Sequence, residues 1–381
     1  MTLSAQLQHA SRSWSRLRQS LLALTRFDGW PTRRTSASQD VGTWASLLSL
    51  QPTIIGSWPT IGLPLGIASA VGPLLRHRPV DFLIFPTWAW ELPEVARPMI
   101  SAAADYVAKH PIHRLAFLCN TASQEPPFAN AGWPAAILNS NIFCNDAQFR
   151  PLAEVAPRHD AIYNARLAPM KRHELATEIE SLCLVYFYAS GDGSVAAFHA
   201  EHARLSAAMP KATFLNRLTP EGCEQFPAST VNIAMNQARV GLCLSAVEGQ
   251  MRASMEYMMA GLPIVSTPSI GGRDYFFDDE FCAIVHADPR SIREAVSAMA
   301  ARCIPRDHIR ARTLARVERE RSRFIDFVQN IIERHGGRTD FAAAFPGLLH
   351  SDRLVPWVPS ARAFGLEVQQ AVYSSDATMS G

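Results

Sequence analysis

Between residues 160 and 267 short apolar runs alternate with stretches of helical periodicity, and this alternation narrows the fold more than any other feature of the chain. Residues 160–163 read as a strand, 172–181 as a helix, 182–188 as a strand, 195–209 as a helix and 212–215 as a strand. A polar helix over 220–237, a strand over 240–246, a helix over 252–260 and a strand over 263–267 continue the series, with closing helices over 291–302 and 306–334. Strands separated by helices run parallel, because each helix carries the chain back to the edge it left. Such a sheet needs helices on both faces. The first half shows the same pattern more weakly, with apolar runs at 81–85, 114–118 and 135–138 and a helical stretch over 93–109. A chain of 381 residues has room for two such domains. The expected division is a basic appendage over 1–40, one α/β domain over 41–155, a second over 156–335, and a tail over 336–381.

Bulk properties remove several function classes. A formal net charge of +2 gives no reason to expect nucleic acid as a partner. The seven cysteines form no C-x-x-C pair and sit mostly in apolar runs, which suits buried thiols in a reducing, cytoplasmic compartment rather than a disulfide framework or zinc site. The histidines show no metal-binding spacing, and Asp278-Asp279 reads as a solvated turn. No apolar run is long enough to span a bilayer, and the N-terminus lacks the apolar core of a secretory signal. Residues 1–27 contain no Asp or Glu, while Arg12, Arg16, Arg18 and Arg26 interleave with Trp14, Leu17, Leu21, Leu22 and Leu24. Over 6–34 this suits a basic amphipathic segment lying on the inner face of an anionic membrane. A plain surface helix or frayed terminus fits the same residues, and an organelle transit peptide has the same look.

The residues suited to chemistry cluster where strands end. Glu248 follows the strand over 240–246, and Glu256 lies eight positions on, in a helix that stops at Gly261 and Pro263. Both fall where the open end of a parallel sheet holds a ligand. Arg166 and Lys171 follow the strand over 160–163 and open the next helical stretch. A helix N-terminus already favours anions, so two added cations suit a pyrophosphate and the charge that develops when a nucleoside diphosphate leaves. Taken alone, the pair reads more simply as a solvated basic turn.

Taken together, these features resemble the GT-B glycosyltransferases, especially the retaining E-x7-E type of glycosyltransferase family 4. The resemblance covers about 160–300. It rests on Arg166, Leu167 and Lys171 (with Ala165 where the family usually has Gly), the turn Gly191-Asp192-Gly193, Glu248 with Glu256, the strand after Gly261, and Gly271-Gly272. It implies two Rossmann-like doubly wound domains facing a cleft, with the tail crossing back to the N-terminal one. It also implies transfer from a nucleoside-diphosphate sugar, with UDP or GDP as the nucleotide, to an unidentified acceptor hydroxyl in polysaccharide or glycolipid biosynthesis. Glu248 and the backbone of Gly249, Gln250 and Met251 would meet the donor sugar. Glu256 would accept from the ribose, and Arg166 and Lys171 would hold the diphosphate. No metal and no separate cofactor is implied. In the N-terminal half the family's strand-end histidine has no convincing counterpart in His110 or His113. Asn120, Glu125 and Asn141 are the candidates there, against the plainer reading of caps and loop hydrogen bonds. A sugar-nucleotide epimerase, a glycosyl phosphorylase or a non-catalytic partner module on the same scaffold are the other readings.

Overall fold

The computed structural model describes residues 42–60, 63–189, 192–349 and 357–379, so the basic segment 6–34 lies outside the described residues. The N-terminal domain carries β1 (Thr43–Ser49), β2 (Thr53–Trp58), β3 (Val80–Ile84), β4 (Arg114–Cys119) and β5 (Ala135–Ile137). β1 and β2 form an antiparallel pair, and β2 to β5 run parallel in chain order. All five residues of β3 are buried, as a strand covered on both faces requires.

The C-terminal sheet is built from β6 (His159–Asn164), β7 (Leu182–Val185), β8 (Thr213–Phe214), β11 (Ala238–Cys243), β12 (Ile264–Ser266) and β13 (Cys282–Ile284). A small hairpin, β9 (Leu218–Thr219) and β10 (Gly222–Cys223), stands apart. The sheet order is β13-β12-β11-β6-β7-β8, with every pairing parallel. Renumbered within the domain, this is the 3-2-1-4-5-6 order of a doubly wound sheet, and its direction reverses between β6 and β11.

Two expected helices take other forms. The stretch 172–181 is not a helix: short 3-10 turns at Pro169–Lys171 and His173–Ala176 are separated by Arg172, whose left-handed φ of 52° breaks helical hydrogen bonding. The stretch 220–237 begins as the β9–β10 hairpin, and its helix starts only at Ala228–Asn236, after Pro227. Gly222, at φ +140°, explains the hairpin.

The helix Arg306–Arg334 joins the two domains. Its 29 residues span roughly 44 Å. At its start Arg306 donates to Ala238 O at 2.6 Å. Further along, Arg310 donates to Phe149 O at 2.6 Å, and Arg321 to Ile142 O at 2.9 Å and Cys144 O at 2.8 Å. Just past its end His335 stands 3.0 Å from Asp81 in β3. Phe324, on the same helix, packs against Phe85 and Phe143 of the N-terminal half, so one apolar core runs across the domain boundary. The chain then returns to the N-terminal domain. β14 (Trp357–Val358) pairs antiparallel with β1, and Gln369 in the last helix donates to Leu74 O at 2.8 Å.

Candidate functional site

The loops that leave the C-terminal ends of β6, β11 and β12 form one hydrogen-bonded unit. From within β6, Tyr163 donates its hydroxyl to Lys171 O at 2.6 Å, which fixes the Pro169–Lys171 turn. Lys171 Nζ pairs with Glu248 Oε1, and both side chains are buried. Ser245 Oγ donates to the same oxygen at 2.5 Å. Arg172 donates to Leu244 O at 2.6 Å and to Thr267 Oγ1 at 2.7 Å. Arg273, fully buried, donates to Cys243 O at 3.1 Å, to Ser245 O at 2.8 Å and to Thr267 O, while its Nε meets Asp274 Oδ1 at 2.7 Å. Sequence reasoning singled out the glycines of this loop and missed Arg172 and Arg273. The available signal was an Arg-Asp pair placed directly after Gly-Gly in an otherwise apolar stretch.

Gly271 is required by contact. Its φ is +108°, and a Cβ there would fall 1.6 Å from Glu248 O. Gly249 is equally constrained: a Cβ would lie 2.5 Å from Thr87 O, in the loop after β3. The two domains therefore touch backbone to backbone beside Glu248. Gln250 is half-buried, and Met251, at φ 43°, turns the chain into the helix Arg252–Met259.

Glu256 lies in that helix, buried. Arg252 Nε is 2.5 Å from its Oε1, and Asn164 Nδ2 donates to its Oε2 at 3.4 Å. Burial pushes the Glu256 carboxyl above the usual range, and Arg252 works against that rise. Arg166 is half-buried and donates to Asp192 Oδ1 at 2.6 Å, within the glycine turn whose first glycine lies outside the described residues. Arg166, Lys171 and Glu248 thus stand at the loops that flank the switch point, and Glu256 in the helix that follows one of them. Each cation has a carboxylate beside it. The carboxylates are acceptor-only groups suited to hydroxyl donors, and the cations suit phosphate oxygens.

Of the N-terminal candidates, Asn141 bonds across the domain boundary, whereas the bonds of Asn120 stay within the N-terminal domain. Asn120, at the end of β4, accepts from Ser140 N at 3.1 Å and donates to Pro86 O at 3.3 Å. Asn139 donates across the boundary to Gly272 O at 3.1 Å, and Asn141 to Gln250 O at 2.7 Å. Glu125 opens the short helix Glu125–Ala129 and is half-buried. His113 is a core residue, bonded to the Tyr106 hydroxyl at 2.7 Å and to Leu75 O at 3.1 Å.

Directly behind Lys171 lies His173, buried with its ring 4.8 Å from that of Tyr163 and its Nε2 without a hydrogen-bond partner. Burial, with Lys171 and Arg204 adding repulsion, pushes its pKa down to about 3. An unfolded histidine takes a proton near pH 6.5, so below that value the unfolded chain binds a proton the folded one refuses. Stability held above about pH 6.5 is therefore lost as pH falls toward 3, at up to about 1.4 kcal/mol per unit. In urea titrations His173→Phe is expected to lose about 2 kcal/mol less than the native protein between roughly pH 6.5 and 5. Parallel acid profiles would show that His173 does not set this slope.

Among the described residues no three His, Cys, Asp or Glu side chains are grouped as metal ligands would be, and no helix is long and apolar enough to cross a membrane. No family model matches the chain, and no curated protein matches it. Solved structures do. The UDP-forming α,α-trehalose-phosphate synthase of Burkholderia vietnamiensis is 12% identical, with 74% of each chain covered and a TM-score of 0.48. Anabaena HepE in complex with UDP and glucose is 15% identical, with 69% of this chain and 74% of that one covered and a TM-score of 0.47. The sucrose-phosphate synthase of Thermosynechococcus elongatus is 14% identical, with 64% and 68% covered and a TM-score of 0.44. Likenesses at this level assign neither an activity nor a ligand to the chain.

Proposed function

We propose that this protein is a GT-B glycosyltransferase that moves a glycosyl group from a nucleoside-diphosphate sugar to an acceptor hydroxyl, retaining anomeric configuration and using no bound metal. The observation that carries the reading is the placement of the Lys171–Glu248 pair and Arg166 on the loops flanking the switch point of a 3-2-1-4-5-6 sheet, with Glu256 in the helix after one of those loops, facing a second α/β domain. In this reading residues 156–335 hold the donor and 41–155 the acceptor. The diphosphate replaces Asp192 as the partner of Arg166 and draws on Lys171. Both cations then neutralise the charge of the leaving group as the glycosidic bond breaks, which is the role a metal would otherwise fill. Glu248, with the backbone of Gly249, Gln250 and Met251, orients the sugar. Glu256 accepts from the ribose. The acceptor hydroxyl attacks from the face the diphosphate leaves, and a phosphate oxygen takes its proton.

A thermal-shift titration against UDP, GDP, ADP, TDP and CDP, each with and without magnesium, tests this. A ligand that binds only the folded state raises the melting temperature. One diphosphate, UDP or GDP, is expected to do so equally with and without magnesium, and its sugars are then assayed for turnover. No shift with any nucleotide would defeat the reading. The enzyme then works on the cytoplasmic side, held to an anionic membrane through 6–34 and acting on a lipid-linked or polysaccharide acceptor. Deleting residues 1–34 is expected to abolish binding to anionic liposomes, and unchanged binding would remove the membrane from the proposal.

A further inference from the structure

We propose that Arg252 is a positioning residue that keeps the buried Glu256 carboxylate charged and aimed at the open end of the sheet. The ribose as its ligand rests on the donor-site reading above, but the Arg252–Glu256 pairing does not.

The pair is oriented against helix stability. Arg252 is the first residue of the helix Arg252–Met259, where the macrodipole disfavours a cation, and Arg before Glu at i,i+4 is the weaker order for a helical ion pair. No side chain caps this N-terminus, and the preceding Met251 is left-handed. An arginine here therefore gains little from the helix itself. What it meets is Glu256 Oε1 at 2.5 Å on one side and the ring of Phe149, 6.0 Å from Cζ, on the other. The aromatic face holds the guanidinium while the carboxylate takes its charge.

The surroundings of Glu256 leave that task to Arg252. Asn164, from the end of β6, supplies one long neutral hydrogen bond of 3.4 Å. Cys144, from the segment after β5, and Tyr257, from the same helix, are the titratable neighbours. Burial pushes the Cys144 thiol up to about 12 and the Tyr257 hydroxyl well above its ordinary value, so both stay neutral at physiological pH. Arg321 and Asp146 also act on Cys144, with opposite signs. Glu256 itself is pushed up by burial, and a protonated carboxyl would offer a donor where a hydroxyl-bearing ligand needs an acceptor. With the charge kept, Oε2 retains acceptor capacity beyond its contact with Asn164.

The test compares native protein, Arg252→Gln and Arg252→Lys. Carbon-13-labelled glutamate NMR follows the carboxyl titrations, and Glu256→Gln identifies the Glu256 signal. Circular dichroism checks that each variant is folded. The Glu256 midpoint is expected to rise by about one pH unit or more in Arg252→Gln and to return near the native value in Arg252→Lys. Affinity of Arg252→Gln for the nucleotide found by thermal shift should then fall about tenfold per pH unit below the raised midpoint, while the native protein stays flat across the same range. An unmoved midpoint, or equal impairment of both variants at every pH, would overturn the proposal. A moved midpoint in a protein that binds no nucleotide would uphold the hold of Arg252 on Glu256 and defeat the donor-site reading instead.

Discussion

Replacing Lys171 by alanine is expected to lower turnover by about two to three orders of magnitude, the usual cost of removing one group that stabilises charge in a transition state. It is also expected to lower stability, because the cation is half of a buried pair. The Lys171 and Glu248 side chains are 10% and 7% exposed, so alanine strands a carboxylate away from water. Breaking such a pair from one side costs about 3–5 kcal/mol. The Ser245 hydroxyl, still bonded to Oε1, places this case toward the lower end. The two effects separate in the double variant Lys171→Met with Glu248→Gln. Its neutral pair removes the stranded charge, so urea stability should recover most of the loss while turnover stays low. Full turnover in a folded Lys171→Ala protein would take Lys171 out of the mechanism.

Arg273→Met should be the most damaging substitution to stability outside the apolar core, at about 3–5 kcal/mol. Its guanidinium serves the carbonyls of Cys243, Ser245 and Thr267 at once, from a position with 1% exposure. Methionine fills much of the same space but donates to none of them, so buried acceptors lose their partners and the Asp274 carboxylate loses its cation. The Cys243 and Ser245 carbonyls belong to the end of β11 and the loop that leads to Glu248, so nucleotide affinity should weaken together with stability. Chemical denaturation and nucleotide titration on the same variant check this. A native-like denaturation midpoint would show that the loops stand without Arg273.

The long, strongly patterned elements were legible in the sequence. The helices expected over 93–109, 195–209, 252–260 and 306–334 appear as Pro93–Lys109, Val195–Ala208, Arg252–Met259 and Arg306–Arg334, because amphipathic periodicity over many residues is a local property. The stretch after Lys171 was misread because a left-handed Arg172 leaves no mark in composition. Its conformation is held by bonds to Leu244 and Thr267, more than seventy residues away. The N-terminal asparagines were visible as polar residues at strand ends. Their hydrogen bonds to Gly272 and Gln250 depend on where the other domain sits.

By itself the sequence determined the alternation of strands and helices and the order in which Arg166, Lys171, Glu248 and Glu256 follow their strands, since each depends only on neighbours along the chain. The tertiary structure decided that the second sheet reverses direction between β6 and β11, that Lys171 pairs with Glu248, and that the half-buried Arg172 and the buried Arg273 lace the loops together. Those features are pairings between residues far apart in the chain. No local propensity encodes them, and they arise only when packing brings strand ends to the same place and leaves buried polar groups to find one another.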